Sequence, residues 1–513
     1  MKSDSSTTEK SERSEDAATM TAQWELIDWV KVEAEVNRLQ TRIAKAAVKG
    51  DKNKVRRLQY LLTHTFYAKA LAVRKVTTNK GKYTSGVDRK LWSSSASKMR
   101  AVYSLSDKQY RSKPLRRVYI AKKGQKNKKR PLGIPTMYDR AMQTLYAFAL
   151  APVAESTGDR VSFGFRQGRS AKDAGEHLFT VLARKVSPEW VLEGDIKGCF
   201  DNIDHTWLLD NIPMDKRVLK QFLKSGFIHN GELFATRSGS PQGGAISSLL
   251  ANMALDSMEK LLQDTYHRNS KGNIENHCRA KTKVNLVRYA DDFVITAKTK
   301  EIAEEIKLLI ADFLRVRGLA LSEEKTAITH IDDGFDFLGW TFRKFKGKLI
   351  VKPSRKSIKA VVSKLSIIVL KYGKSLTQEE LIDRLNQVIR GWTNYHKHVV
   401  ASNAFSSVNN TLYLLLQRWA KHRHPNKNKW WRLNRYWHEC NGKPWRFMAA
   451  GHWLVNLRTI PIVRHQNLKI NMNPFLDADY FKARKVMLKE TASARKGEEM
   501  PEPYERETLT YGS

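Results

Sequence analysis

The chain holds only three cysteines in 513 residues, Cys199, Cys278 and Cys440, widely spaced and with no CxxC pair. That spacing argues against a zinc site and against a disulfide framework, and it suits a reducing, intracellular compartment. Long apolar runs are also missing. None approaches the roughly 18 residues that suggest a membrane-spanning helix, so no membrane is expected among the partners. The opening MKSDSSTTEKSERSEDAATM lacks the apolar core of a secretory signal and contains the acidic residues that transit peptides avoid. It reads as a disordered leader. Internal repeats and long low-complexity tracts are lacking too. Acidic residues are in deficit: 52 Asp and Glu face 91 Lys and Arg, a formal net charge of +39. A surplus of that size creates a broad positive field and points to a polyanionic partner, nucleic acid first.

What is present can fold. Hydrophobic residues make up 41 % of the chain, enough for sizeable cores, and the length suits three or four domains at roughly 150 residues each. Order is expected from about Trp24. Val32, Val36, Leu39, Ile43 and Ala46 recur at three- and four-residue steps, and Val55, Leu58, Leu62 and Phe66 repeat the pattern after a turn at Lys49–Asp51. Two basic amphipathic helices are therefore predicted. RRVYIAKKGQKNKKRPLGIP reads as strand, basic turn, strand. Helical text follows from Asp139 to about Val153, then short strands and helices alternate to about residue 350. Beyond Val351 the text is helical again, and Leu381, Leu385, Val388, Trp392 and Tyr395 step at helical intervals that read as core.

The strongest local signal is LVRYADDFVIT, residues 286–296. Apolar β-formers flank two adjacent carboxylates, which predicts a hairpin with Asp291 and Asp292 at its turn. Two like charges side by side cost free energy unless a cation neutralises them. A solvated turn is the alternative. A second candidate strand, WVLEGDIKGCFDNIDH, brings Asp195 to a strand end. Two converging strands can offer three carboxylates to a pair of hard cations such as Mg²⁺, which prefer oxygen ligands. A metal pair roughly 4 Å apart activates an attacking hydroxyl and stabilises a leaving pyrophosphate.

Tyr289-Ala290-Asp291-Asp292 resembles the YxDD box of reverse transcriptases. Asp195 to Asp201, Ser240-Pro241-Gln242-Gly243-Gly244, Arg130-Pro131-Leu132-Gly133-Ile134-Pro135 and Ser162-Phe163-Gly164-Phe165-Arg166 resemble further boxes, in the same order and spacing. From about residue 24 to 485 the chain is similar to the group II intron-encoded reverse transcriptase/maturase family, in a form without the HNH endonuclease. The resemblance implies an α+β right-hand polymerase of fingers and palm, an α-helical thumb or maturase X domain, and a small basic C-terminal region. It divides the chain into a leader (1–22), an N-terminal helical extension (23–98), fingers and palm (99–350), thumb (351–450), a DNA-binding-like region (451–486) and a flexible tail (487–513).

By the same resemblance, Asp195, Asp291 and Asp292, with the Ile196 backbone carbonyl, would hold two Mg²⁺ ions. Lys122 and Arg130 would grip the triphosphate of a dNTP, Arg as a bidentate fork and Lys as a point charge. A solvated loop is the alternative for the lysines of that turn. Phe200 falls at the steric-gate position, with an ordinary core aromatic as the alternative. Gln242 would lie near the nucleotide, its neighbouring glycines allowing close backbone approach. Lys325 matches a position proposed to protonate pyrophosphate, or is a surface lysine. Phe337, Leu338 and Gly339 resemble the segment that grips the primer end. The tract of Arg418, Lys421, Arg423, Lys427, Lys429, Trp430, Arg432 and Arg435 interleaves cations with aromatics, a pattern for phosphates and exposed bases. Some of the tryptophans of that tract would simply pack the core, and spacing leaves open which.

The implied partners are a group II intron RNA, target DNA with a primer/template duplex, and dNTPs, with a homodimer left open. The implied setting is bacterial cytoplasm, with nucleoid association on DNA. No CxxC pair of an HNH domain is present, so second-strand cleavage is not expected, and target priming would draw on another 3′ end. Three rivals stay open: an RNA-binding splicing cofactor with an idle polymerase, an RNA-dependent RNA polymerase, and a domesticated enzyme serving defence or another host function. Intact Asp195, Asp291 and Asp292 favour an active polymerase, and Phe200 stands against an RNA maker.

Overall fold

The computed structural model describes residues 5–121, 129–240, 243–440 and 443–493. The chain forms two compact units. The first gathers the residues up to Ser170, Leu192–Ile328 and Lys469–Phe481; the second gathers Ala171–Val191, Thr329–Leu468 and the residues from Lys482 onward.

Helices open the first unit, at Ser5–Glu25, Trp29–Val48, Lys52–His64 and Phe66–Thr78. Asp28 caps the second by accepting from the Val30 and Lys31 amides, an interaction typically worth about 1 kcal/mol. The expected stripe Val32, Val36, Leu39, Ile43 and Ala46 is buried. Asp51 caps the next helix, which buries Val55, Leu58 and Leu62. Phe66 does not continue that stripe. Thr65 stops the helix and caps another through the Ala68 amide, and Phe66 stays 37 % exposed. Residues 5–22, expected as a disordered leader, lie within the helix Ser5–Glu25. Its tethers explain the difference: Trp24 is buried, Asp16 pairs with Arg100 at 3.5 Å, and the Tyr103 hydroxyl donates to Gln23.

The strands in chain order begin with β1 (Leu115–Ala121), β2 (Lys129–Ile134), β3 (Trp190–Asp195), β4 (Phe227–His229), β5 (Glu232–Phe234), β6 (Asn285–Tyr289), β7 (Asp292–Ala297) and β8 (Ala327–His330). The expected strand–turn–strand is the antiparallel pair β1 and β2, with Ile120 opposite Arg130. One sheet has the order β2-β1-β4-β5 and another β6-β7-β3-β8; the division between the units falls inside β3 and β8. A helix capped by Thr136 runs Met137–Thr157 and is buried along most of its length.

The second unit adds β9 (Phe335–Phe337), β10 (Trp340–Phe345) and β11 (Lys348–Pro353) as one antiparallel sheet. Helices Arg355–Ile367, Gln378–His396 and Ser402–Arg423 follow, the first running into a π-helical turn at Ile368–Tyr372. Thr377 and Glu380 form a capping box at the start of the second. Its fully buried face is Leu381, Ile382, Leu385 and Ile389, while Val388 and Trp392 lie partly buried at the edge. The same unit also carries a three-stranded sheet: β12 (Trp437–Cys440), β13 (Lys443–Ala449) and β14 (His452–Trp453). Trp437 pairs across it with Phe447, rings 5.0 Å apart, beside buried Trp419. Pairing of these separated aromatics supplies the sheet that helical periodicity did not reveal. Asp173 accepts from Arg484 and contacts His465 at 2.9 Å, pinning parts of the 451–486 region within this unit. The helix Ala478–Ser493 passes the expected tail boundary at 487.

Two histidines of the second unit are held neutral. Burial, then the Lys172 charge, lowers His396 to about 4 and His398 to about 3. An unfolded chain protonates histidine near pH 6.5. Their neutral forms therefore contribute stability that is full above about pH 6.5 and is lost as pH falls toward about 4 for His396 and about 3 for His398. The melting temperature of the full chain is expected to fall across that window, and His398→Gln to flatten the fall. An unchanged slope would show that His398 is not a source of the acid sensitivity.

Candidate active site

Asp195 ends β3, and a short bridge locks the residues after it. The Ser322 amide donates to the Asp195 carbonyl at 2.8 Å and the Lys197 amide to the Ala320 carbonyl at 2.9 Å. Neither bond uses the Ile196 carbonyl. In the hairpin, β6 and β7 pair with Tyr289 opposite Asp292, leaving Ala290 and Asp291 as a two-residue loop. Ala290 sits at φ +59°, a left-handed conformation that a non-glycine residue rarely adopts. Behind it, the Phe163 amide donates to the Arg288 carbonyl at 2.8 Å, and the Arg288 amide to the Val161 carbonyl at 3.0 Å. A Cβ on Gly164 would come within 2.4 Å of the Ala290 nitrogen, so only glycine lets this segment lie against the turn. Within β3, a Cβ on Gly194 would meet the Phe293 ring at 2.1 Å.

The carboxylates converge electrostatically. Asp291 is raised from the ordinary carboxylate range by burial and by the charge of Asp195. Asp292 is pushed up to about 7 by loss of surrounding water, by the charges of Asp291 and Asp195, and by a hydrogen bond with Asp195. The Lys325 ammonium pairs with Asp195 at 2.5 Å. Arg130, exposed at the start of β2, acts on Asp291 and on Asp201 through its charge. Among the described residues no three His, Cys, Asp or Glu side chains form a ready cage for an ion. The donor chemistry nevertheless fits hard divalent cations: three carboxylates that repel one another, one of them retaining a proton to about neutral pH. Nearby Cys199 is no nucleophile, since burial and neighbouring carboxylates push its thiol up to about 12.

Phe200 is half-buried and edge-on to Phe165, ring centroids 6.3 Å apart. The approach to Gln242 is stitched to it: the Ser240 amide donates to the Phe200 carbonyl at 2.7 Å and the Gly239 amide to the Ile203 carbonyl at 2.8 Å. A cavity of about 290 Å³ opens there, lined among others by Phe200, Asp201, Arg117 and Ser240. Lys122 and Gln242 themselves lie outside the described residues.

Phe337, Leu338 and Gly339 belong to the second unit. They form a tight turn between β9 and β10 with Leu338 at φ +50° and Gly339 at φ +84°. The Tyr395 hydroxyl donates to the Leu338 carbonyl at 2.8 Å. Of the basic tract, Arg418, Lys421, Lys427, Lys429 and Arg435 are exposed, and Trp430 is 72 % exposed. Arg423 is committed elsewhere, donating to the Leu376 carbonyl and lying over Trp419, and Arg432 donates to the Lys427 carbonyl. Trp419 and Trp437 are core.

Sequence reading missed two supports. One is Gly164 against Ala290. The other is the Arg288 side chain, 0 % exposed and paired with Asp256 at 2.6 Å. A cation inside an otherwise apolar strand was the available signal, because such a charge demands a buried partner.

Comparison with known proteins gives concordant matches. A model described as the N-terminal domain of reverse transcriptase matches residues 24–105. One described as reverse transcriptase (RNA-dependent DNA polymerase) matches 120–342, and one described as the group II intron, maturase-specific domain matches 358–437. The group II intron-encoded protein LtrA of Lactococcus lactis subsp. cremoris is 33 % identical over 444 residues, covering 70 % of this chain and 72 % of that one. Protein YkfC of Escherichia coli (strain K12) is 32 % identical over 362 residues, covering 64 % and 92 %. Maturase-like protein 1 of Euglena gracilis is 24 % identical over 392 residues, covering 72 % and 76 %.

Gly164→Ala tests whether the carboxylate hairpin depends on its support. The added methyl is expected to push the Ala290 turn and lower nucleotide-incorporation kcat by roughly 100-fold, the order of loss that a 1 Å misplacement produces. Wild-type kcat in a folded Gly164→Ala protein would show that the close approach has no bearing on the site.

Proposed function

Because this chain belongs to the group II intron-encoded reverse transcriptase/maturase family, we propose that its RNA-directed DNA polymerase chemistry runs on Asp195, Asp291 and Asp292 and that its maturase-specific domain engages intron RNA. The observation that carries this reading is the convergence of these carboxylates at the β3 end and the β6–β7 turn, with the proton affinity of Asp291 and Asp292 raised. Held by the three carboxylates and the Ile196 carbonyl, two Mg²⁺ ions would supply the Lewis acidity that activates a 3′-hydroxyl and stabilises the leaving pyrophosphate.

The chain's own groups then have distinct tasks. Arg130, with Lys122, binds and orients the dNTP triphosphate, and Gln242 borders the nucleotide. Phe200 excludes a ribose 2′-hydroxyl. The Lys325 ammonium, held beside Asp195 at 2.5 Å, donates a proton to the pyrophosphate oxygen. Phe337, Leu338 and Gly339 steady the primer end. Exposed Arg418, Lys421, Lys427, Lys429, Trp430 and Arg435 contact intron RNA, and that binding assists splicing and precedes copying of the intron into DNA. Arg423 and Arg432 shape this surface through the carbonyls they hold. Target DNA is the second polyanion that the net charge of +39 serves. RNA binding is expected to weaken steeply with salt as counterion release is lost.

Primer extension on an RNA template is the test, wild type against Asp291→Ala. The variant is expected to lose more than about 1,000-fold in kcat and to retain intron RNA binding, since removing a transition-state electrostatic contact costs that order. Equal synthesis by both proteins would end the assignment. Phe200→Ala is expected to raise ribonucleotide incorporation relative to dNTP by at least roughly tenfold, the worth of about 1.4 kcal/mol of discrimination. Unchanged discrimination would remove the steric-gate role.

A further inference from the structure

We propose that Arg288 is a positioning residue for DNA synthesis: it fixes the β6–β7 turn so that Asp291 meets Asp195 at the spacing a metal pair requires. This inference rests on the assignment of Asp195 and Asp291 given above. Arg288 stands three residues before Asp291 in a strand whose neighbours Leu286 and Val287 are buried and apolar. Its side chain is 0 % exposed. One terminal nitrogen donates to Asp256 at 2.6 Å and lies 3.7 Å from Asp159; the other donates to Asn252 at 3.3 Å.

The surrounding bonds form a closed loop. Asn252 passes the link on, its amide donating to the Gly164 carbonyl at 2.7 Å. Gly164 follows Phe163, whose amide donates to the Arg288 carbonyl, and Gly164 itself abuts the Ala290 nitrogen. Arg288 thus holds by side chain and backbone together the segment that supports the catalytic turn. Asp159 is shared in the same way, accepting from the Ser257 amide at 3.0 Å.

Stability alone is a poor reason for this arrangement. Replacing a buried ion pair by apolar groups of similar volume is often neutral or stabilising, because desolvation offsets the Coulomb gain. What a directional, multidentate cation adds is one fixed geometry, and rate is sensitive to geometry at the level of about 1 Å. Ala290 at positive φ gives the turn a reason to relax if its base is freed.

The experiment measures single-nucleotide incorporation as Mg²⁺ is varied, for Arg288→Met combined with Asp256→Asn so that the Asp256 carboxylate is not left without its cation, while Asp159 keeps the Ser257 amide. The concentration of Mg²⁺ for half-maximal rate is expected to rise at least fivefold and kcat to fall at least tenfold, with KM for dNTP and affinity for RNA unchanged. Arg288→Lys should recover part of both losses. A merely structural role would scale kcat with the folded fraction and leave the Mg²⁺ midpoint in place; that result overturns the proposal. If the double variant fails to fold, Asn252→Ala, which cuts the link between Arg288 and Gly164 without removing a charge, is expected to shift the midpoint in the same direction, and an unshifted midpoint overturns the proposal. Asp291→Ala runs alongside. Retained activity there would refute the carboxylate assignment itself, whereas an inactive Asp291→Ala beside an unshifted arginine variant would refute the role of Arg288 alone.

Discussion

Mutual repulsion among Asp195, Asp291 and Asp292 is the constraint from which the first unit can be understood. Two like charges about 4 Å apart near a protein surface repel by roughly 4 kcal/mol, so a fold that gathers three must hold them by force from elsewhere. Two groups offset this charge: Lys325 lies on Asp195, and Asp292 keeps its proton to about pH 7.

The restraining force comes from the backbone. The β6–β7 hairpin has a two-residue loop, the Val161–Phe163 segment bonds to both sides of Arg288, and the segment after Asp195 is bridged to Ala320–Ser322. Glycine appears where two of these pieces touch: Gly164 meets Ala290, and Gly194 meets Phe293. Buried charges beneath the hairpin are paired, Arg288 with Asp256 and Arg166 with Glu155 at 2.6 Å each. The second unit is organised by different means. An apolar core runs through its helices, and a Trp437–Phe447 pair closes a small sheet, so exposed cations and Trp430 can stand on a rigid surface.

Local periodicity made much of this legible. The stripe from Val32 to Ala46 is buried as its spacing requires, and the DD turn is a hairpin because apolar β-formers flank it on both sides. What stayed hidden was whatever depends on residues distant in sequence. Composition describes the first twenty residues as a disordered leader, yet the helix Ser5–Glu25 is tethered through Asp16, Gln23 and Trp24 to residues near position 100. The Phe66 step looked continuous until Thr65 used its hydroxyl as a cap. The role of each tryptophan near residue 430 was undecidable from spacing, because Trp419 is buried against Phe447, a residue distant in sequence, while Trp430 stays exposed. At the site, residue types pointed to the groups that could bind cations; of the supports beneath them, Arg288 left a signal as a cation inside an apolar strand, whereas Gly164 left none, because its close approach to Ala290 depends on a segment distant in sequence.

The most direct measurement is an anomalous-scattering map from crystals of the full chain grown with a primer/template duplex, a non-hydrolysable dNTP and Mn²⁺ in place of Mg²⁺. Two manganese peaks are expected, with Asp195 and Asp291 as shared ligands and the Lys325 ammonium moved off Asp195. A duplex and nucleotide bound with no anomalous peak at these carboxylates, and Lys325 still paired with Asp195, would contradict the two-metal assignment.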